Sequence, residues 1–369
     1  MTFEETVRAN PFTPVFGKVP PFMAGREQVI HDITAALVSN GNSPDICSLF
    51  VGARGTGKTS LLTYLANEAE QQGWISARVT AAPGMLEDIV QRLHESAAHL
   101  LDSQAARHLS GIEIAPLGGV YWETAREAPA NCRTCMNELF STLENTETGI
   151  IICVDEVDPE FEEMVQLITT YQHFVEEGKR TMLLMAGLPH RVSRLLSGRA
   201  TSFLRRAARH NLGPIPRYEV EETFRLTVES GGKHIDDGAL QEAVNAIDGF
   251  PFMLQLVGYR AWNATGTDDV IGIESMRRGI RLAQEELEHR VFDATMAELS
   301  KGDIAFLQAM AADGVITDRS VLAERLGRSS SYISTYKKRL LEAGVIEETR
   351  PGIFAFALPG FRDYLQNRL

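Results

Sequence analysis

The sequence predicts an α/β protein: a layer of parallel strands and helices, then a helical unit, then a third unit at the C-terminal end. Three observations carry this. Short apolar runs alternate with amphipathic helical stretches from Cys47 to Pro189, the pattern of a doubly wound parallel sheet. After Pro214 and Pro216 the chain reads as almost all helix up to Asp293. The charge then changes sign: residues 301–369 carry a net +2, against −15 for residues 1–300, an asymmetry that marks a separate unit.

The elements follow in order. Residues 1–22 hold four prolines and little periodicity, which predicts an extended arm. "MAGREQVIHDITAAL" places Val29, Ile30, Ile33 and Leu37 on helical spacing. "ICSLFVGA" is a continuous apolar run, as expected of a strand buried on both faces. A loop and a helix over 58–72 follow, then a strand over 74–82 and the helix "GMLEDIVQRLHESAAHLL". Residues 103–130 read as irregular. The helix "CMNELFSTLEN" leads into the strand "GIIICVDEVD", the helix "FEEMVQLITTYQHFVEEG" and the strand "TMLLMAGLP". The expected units are an arm at 1–22, a phosphate-loop core at 23–215, a helical lid at 216–295 and a C-terminal unit at 296–369.

The length of 369 residues, 44% hydrophobic and 23% charged, fits a globular chain with a sizeable core. No apolar run is long enough for a membrane helix, and the acidic, mixed N-terminus lacks the order of a signal peptide. The expectation is a cytoplasmic protein with no membrane partner. Of the four cysteines only Cys132 and Cys135 are close together. Neither a second pair nor histidines at ligand spacing stand near them, so "CRTC" reads as a plain loop or a helix start.

The chemistry sits in "GARGTGKT". Gly52, Gly57, Lys58 and Thr59 fit G-x-x-x-x-G-K-[ST] between a strand and a helix. The glycines permit a tight turn whose N–H groups face an anion, and the following helix adds its positive end. Gly52, Ala53, Arg54, Gly55, Thr56, Gly57, Lys58, Thr59 and Ser60 are thus expected to bind the phosphates of a nucleotide, whose base Thr59 and Ser60 do not discriminate. Lys58 reaches the outer phosphates and the Thr59 hydroxyl ligates Mg²⁺. The strand "IIICVDEVD" ends in Asp155 and Glu156, at the sheet edge where ligands of open α/β folds bind. Asp155 is expected to hold Mg²⁺ with Thr59, and Glu156 to activate water. A solvated strand end is the plainer reading of two adjacent acids, and the phosphate loop outweighs it.

With these motifs in order, the sequence resembles the AAA+ superfamily, more narrowly the archaeal-type, origin-recognition-like ATPases with a C-terminal winged helix. The resemblance spans about residues 10–369. It implies a P-loop NTPase core, a helical lid and a winged helix-turn-helix. "AGRE" resembles the family's N-terminal motif, which places Arg26 near the nucleotide. "DGFPFMLQLVGYRAW" resembles the lid helix whose turn, here Gly249 and Pro251, approaches it. "SFLRRAARHNLGPI" resembles the segment from which an arginine reaches a neighbouring subunit's nucleotide, so Arg205, Arg206 and Arg209 are candidates for a trans-acting group in a homo-oligomer; a basic helix pairing with the acidic body is the alternative. Two positions depart from the family. Ala186 and Gly187 stand where a polar sensor is typical, and Phe252 and Met253 where a sensing arginine is common. These departures imply slow or partner-stimulated hydrolysis, and the lid also resembles that of signal-transduction ATPases.

At the C-terminal end three helical stretches precede two strands around a Pro-Gly turn, the order of a winged helix. Asp318 is placed to cap the second helix, Gly327 to end it, and one of Ser329–Ser331 to cap the third. Arg325, Arg328, Lys337, Lys338 and Arg339 fall in a stretch without an acid, and Tyr332, Ser334, Thr335 and Tyr336 add donors. Double-stranded DNA is the expected partner of this helix. Two readings stay open: an ATPase coupled to DNA, and a nucleotide switch that binds a protein partner without DNA.

Overall fold

The computed structural model describes residues 8–15, 17–39, 41–104, 132–143, 146, 148–314 and 316–367. Five strands form a parallel sheet: β1 (Cys47–Val51), β2 (Ile75–Thr80), β3 (Ile150–Asp155), β4 (Thr181–Gly187) and β5 (Ala208–Asn211), in the order β2-β3-β4-β1-β5. Every pairing is parallel. Each of the first four strands was expected from its apolar run. β5 was not, because "ARHN" is polar and only half-buried on the sheet's edge.

Side chains alternate across the sheet, as the pleat requires. Leu49, Val51, Ile152, Val154, Leu183 and Met185 face one side. There they meet α3 (Met85–Gln104), α4 (Cys132–Leu143), α5 (Glu162–Glu176) and α6 (Pro189–Ser197). Phe50, Ile151, Cys153, Leu184 and Ala186 face the other, against α1 (Glu27–Leu37) and α2 (Lys58–Gln71). "CRTC" opens α4, and burial pushes the Cys132 thiol up to about 12, which makes it a poor nucleophile. Residues 105–131, most of the expected irregular segment, lie outside the described residues.

The helical unit holds α7 (Arg217–Ser230), α8 (Asp237–Ile247), α9 (Pro251–Thr265) and α10 (Ile273–Leu287), with β6 (His234–Ile235) and β7 (Val270–Ile271) as a two-residue parallel pair. Sequence periodicity missed that pair, which is too short to show a period. A π-helical turn (Glu288–Phe292) and α11 (Asp293–Glu298) lead to the C-terminal module. This holds α12 (Lys301–Ala311), β8 (Ile316–Asp318), α13 (Arg319–Leu326), α14 (Ser330–Glu342), β9 (Ile346–Arg350), β10 (Ile353–Phe356) and α15 (Phe361–Gln366). The strands form an antiparallel sheet in the order β8-β10-β9. The expected caps are present: Asp318 accepts from Ser320 N, Gly327 ends α13 at φ +57°, and Ser329 accepts from Tyr332 N. Lid and C-terminal module share one apolar core, continuous from Phe224 and Leu254 through Leu287 and Phe292 to Phe306 and Phe361.

The described part of the arm, from Arg8, forms neither helix nor strand, as its prolines predict. It is nonetheless fixed to the lid. Asn10 Nδ2 donates to Tyr259 O at 3.0 Å, and Gln255 Oε1 accepts from Thr13 N at 2.9 Å. Phe12 is buried in the lid core beside Phe224. Its ring occupies the space a side chain at position 258 would need: a Cβ on Gly258 would lie 2.1 Å from it. Gly258→Ala is therefore expected to expel the ring and lower the unfolding free energy by roughly 1–3 kcal/mol. Denaturant melts of the two proteins would measure this; equal midpoints and slopes would show that the arm is not anchored there.

Candidate nucleotide site

The loop after β1 turns on two left-handed glycines, Gly55 (φ +77°) and Gly57 (φ +85°), the second of which starts α2. A side chain at either would be strained. At Gly55 it would also collide, because a Cβ would lie 2.4 Å from the ring of Phe250. Lys58 is the first residue of α2 and is buried; its ammonium donates to Gly52 O at 3.0 Å and Ala53 O at 2.8 Å. Burial lowers its pKa, Glu156 and Asp155 oppose that, and Arg54 adds to it.

Asp155 ends β3, one strand removed from β1 across β4. The Thr59 hydroxyl donates to Asp155 Oδ2 in a very short contact. A hydroxyl and a buried carboxylate thus converge beside the loop, the oxygen set that Mg²⁺ takes in nucleotide sites. Glu156 follows at φ +54° with its amide bonded to Asp155 Oδ1 at 2.9 Å. Among the described residues, Glu156 and Asp248 are the non-glycine positions with positive φ. Glu156 lines the site, where strained backbone tends to gather, whereas Asp248 caps the end of α8. Glu156 is only loosely held: Arg191 Nη1 lies 4.0 Å from it and 3.5 Å from Asp158.

A cavity of about 650 Å³ opens here, within the range of small-molecule sites. Arg26, residues 54–60, Glu156 and Pro251 line it. Gly52 and Ala53 serve it from behind, through Lys58. The Arg26 guanidinium braces the loop, donating to Gly25 O, Thr56 O and Gly213 O at 2.9–3.1 Å. Burial lowers its pKa, with Glu219 opposing. Arg205, Arg206 and Arg209 are exposed and do not line the cavity. Arg205 Nε donates to Leu196 O, and Arg209 lies on the edge strand β5. At the end of β4, Ala186 and Gly187 offer no polar side chain, and a Cβ on Gly187 would meet Val157 at 2.5 Å.

Sequence reasoning missed much of the wall. The arm supplies Thr13, Pro14, Lys18 and Phe22, with Met23 just after it; the lid supplies Phe250 and Gln255; the π-helical turn supplies Arg290 and Val291, and the C-terminal module Leu358. The one available signal was the proline spacing of the arm. The rest depends on tertiary packing.

The basic helix α14 differs from its sequence pattern. Lys337 pairs with Glu348 at 2.7 Å and Arg339 with buried Asp303 at 2.7 Å; Lys338 lies 3.9 Å from Glu342. Arg325 pairs with Asp313 at 2.6 Å. Apart from Glu342, which closes α14 itself, the acids come from outside the helix, so a stretch without acids is not an unpaired one. Arg328 lies over the Tyr332 ring, 5.3 Å from its centroid, and the Tyr332 and Tyr336 rings meet at a tilt of 39° with centroids 4.3 Å apart. No group of three or more metal-ligating side chains occurs among the described residues, nor is any helix long and apolar enough to cross a membrane.

The sheet order, loop and paired acids define a P-loop NTPase fold. In agreement, residues 26–197 match the KAP family P-loop domain, and residues 289–365 match a domain of unknown function, DUF8462. No curated protein matches the chain in sequence. Among solved structures, the Walker-type ATPase PABY2304 of Pyrococcus abyssi is similar with a TM-score of 0.64 at 16% identity, over 93% of this chain and 96% of that one. The Aeropyrum pernix ORC2 protein, in its ADPNP–ADP complexes, scores 0.64 at 14% identity over 96% and 95%. Cdc6p from Pyrobaculum aerophilum scores 0.51 at 14% identity over 98% and 99%. At such identities the likeness is one of fold. The expected α/β fold with a P-loop NTPase core is borne out.

Gly55→Ala carries both a strained φ and a clash with Phe250. It is expected to weaken ATP binding at least about tenfold, measured by calorimetric titration. Unchanged affinity would mean that the loop does not hold its phosphates in this conformation.

Proposed function

We propose that the protein hydrolyses ATP and uses nucleotide state to control the contacts of its C-terminal module, whose ligand is double-stranded DNA. One observation supports the coupling above all. The turn after α14 lies against the phosphate loop: a Cβ on Gly344 would be 3.0 Å from Leu188 and 3.7 Å from Arg54 Nε. Arg194 of α6 reaches both Glu160, at 2.6 Å, and Glu342 of α14, at 3.9 Å. A change at the loop therefore meets the module directly.

In this reading the loop amides and the N-terminal end of α2 take the phosphates. Lys58 leaves its carbonyl partners to neutralise their charge, and Thr59 and Asp155 hold magnesium. Bound there, Mg²⁺ would supply neutralisation of charge on the phosphate oxygens. Glu156, facing the cavity, accepts the proton of the attacking water. The apolar end of β4 leaves that water without a polar partner from position 187, which fits slow or stimulated turnover. One of Arg205, Arg206 and Arg209, all exposed, is the candidate to act on a neighbouring copy. The unit boundaries at residues 22, 215 and 295 belong to the same reading, as does a cytoplasmic location.

The internal pairs on α14 favour a second reading, in which the module docks a protein partner and nucleotide state switches that contact. Duplex binding separates the two. Arg328 and Lys338 are the cations least committed to internal partners, so phosphate-directed binding through them predicts a log–log salt slope of about −2. Arg328→Ala with Lys338→Ala should remove it. No duplex binding at low salt would favour the protein switch.

For the chemistry, Lys58→Ala and Glu156→Gln should each cut phosphate release by at least about a hundredfold. Glu156→Gln should still bind ATP and Lys58→Ala should not. Equal release by wild type and both variants would overturn the assignment.

A further inference from the structure

The face of the cavity formed by the lid and the C-terminal block is almost wholly apolar: Phe250, Pro251, Phe252, Leu254, Val291 and Leu358. Among the described residues of that face one is charged, Arg290. It lies in the π-helical turn Glu288–Phe292 that joins lid to module. Such turns widen a helix locally and recur at functional sites.

Arg290 is built to exchange partners. Glu286, itself largely buried, holds two guanidinium groups, one on each oxygen. Arg260 takes Oε2 through Nε, at 2.7 Å, and through Nη2; Arg290 Nη1 takes Oε1 at 2.9 Å. Losing the only partner of a buried carboxylate is costly, but here Arg260 remains when Arg290 leaves. Arg290 is also the exposed member of the trio, at 64% against 34% for Arg260. Two residues on, Phe292 packs against Phe361 and Tyr364 of the module, with ring centroids 5.1 Å apart in both pairs.

We infer that Arg290 is a further nucleotide-binding residue: it exchanges Glu286 for the terminal phosphate of ATP and carries that change through Phe292 into the C-terminal module. A guanidinium matches a phosphate's paired oxygens. The lid turn itself offers only Phe252 and Met253, so the cation for this face comes from the junction. The inference rests on the cavity being the ATP site, and the test separates the two.

Binding of a non-hydrolysable ATP analogue and of ADP is measured by calorimetry for wild type, Arg290→Ala, Arg290→Lys, Lys58→Ala and, as a surface control, Arg281→Ala. Arg290→Ala should weaken the analogue about tenfold or more and ADP less than about threefold, with unchanged melting temperature; Arg290→Lys should fall between, and Arg281→Ala should match wild type. Wild-type analogue binding by Arg290→Ala, while Lys58→Ala has lost it, would overturn the role of Arg290 and leave the site intact. Equal losses for both ligands with a lowered melting temperature would also overturn it, as a structural effect. Wild-type binding by Lys58→Ala would instead overturn the cavity as the ATP site.

Discussion

The contact between Phe250 and Gly55 joins the two halves of the molecule. The missing side chain at position 55 leaves room for a ring that also belongs to the lid core. The turn behind it has little freedom. Asp248 and Gly249 are left-handed, a Cβ on Gly249 would meet Ile215 O at 2.7 Å, and Ile215 N donates to Gly249 O at 2.8 Å. The phosphate loop therefore does not sit beside the lid as a separate part. Any displacement of the loop is felt by α9, and from α9 by the core that runs on through Leu287 and Phe292 into the C-terminal module.

The charges at the site follow the same logic. Arg26 and Lys58 are buried, and their charge is met by backbone carbonyls as well as by nearby acids, as burial of a cation demands. Lys58 can trade carbonyls for phosphate; Arg26, tied to the loop at Thr56 and to Gly213 after β5, holds the loop's shape. Glu156 is the opposite case: a strained backbone and a loose ion pair leave its carboxylate facing the cavity. The arrangement separates residues that fix geometry from residues able to change partner, and Arg290 with its shared Glu286 falls in the second group.

Much of the fold was legible because it rests on local rules. Apolar runs gave β1 to β4, helical spacing gave the lid, and Asp318, Gly327 and Ser329 gave the ends of α13 and α14. The phosphate loop and Asp155–Glu156 were legible for the same reason, since each is a short contiguous pattern with a fixed place on a strand. β5 was missed because an edge strand need not be apolar, and β6 and β7 because two residues carry no period. The remainder of the site was hidden by distance in the chain. Lys18, Arg290 and Leu358 meet only after folding, and the acids that neutralise α14 come from Asp303 and Glu348, outside the helix that the sequence presented as basic.

The central claim is that nucleotide state moves the C-terminal module relative to the sheet. A spin-label distance between exposed Ser193 on α6 and exposed Thr335 on α14, each changed to cysteine with Cys132 and Cys135 replaced by serine, reads that movement directly. The account predicts different distance distributions with a bound ATP analogue and with ADP, and the same distribution for both ligands in Lys58→Ala. Superimposable distributions in the wild-type background, at saturating concentrations of each nucleotide, would contradict it.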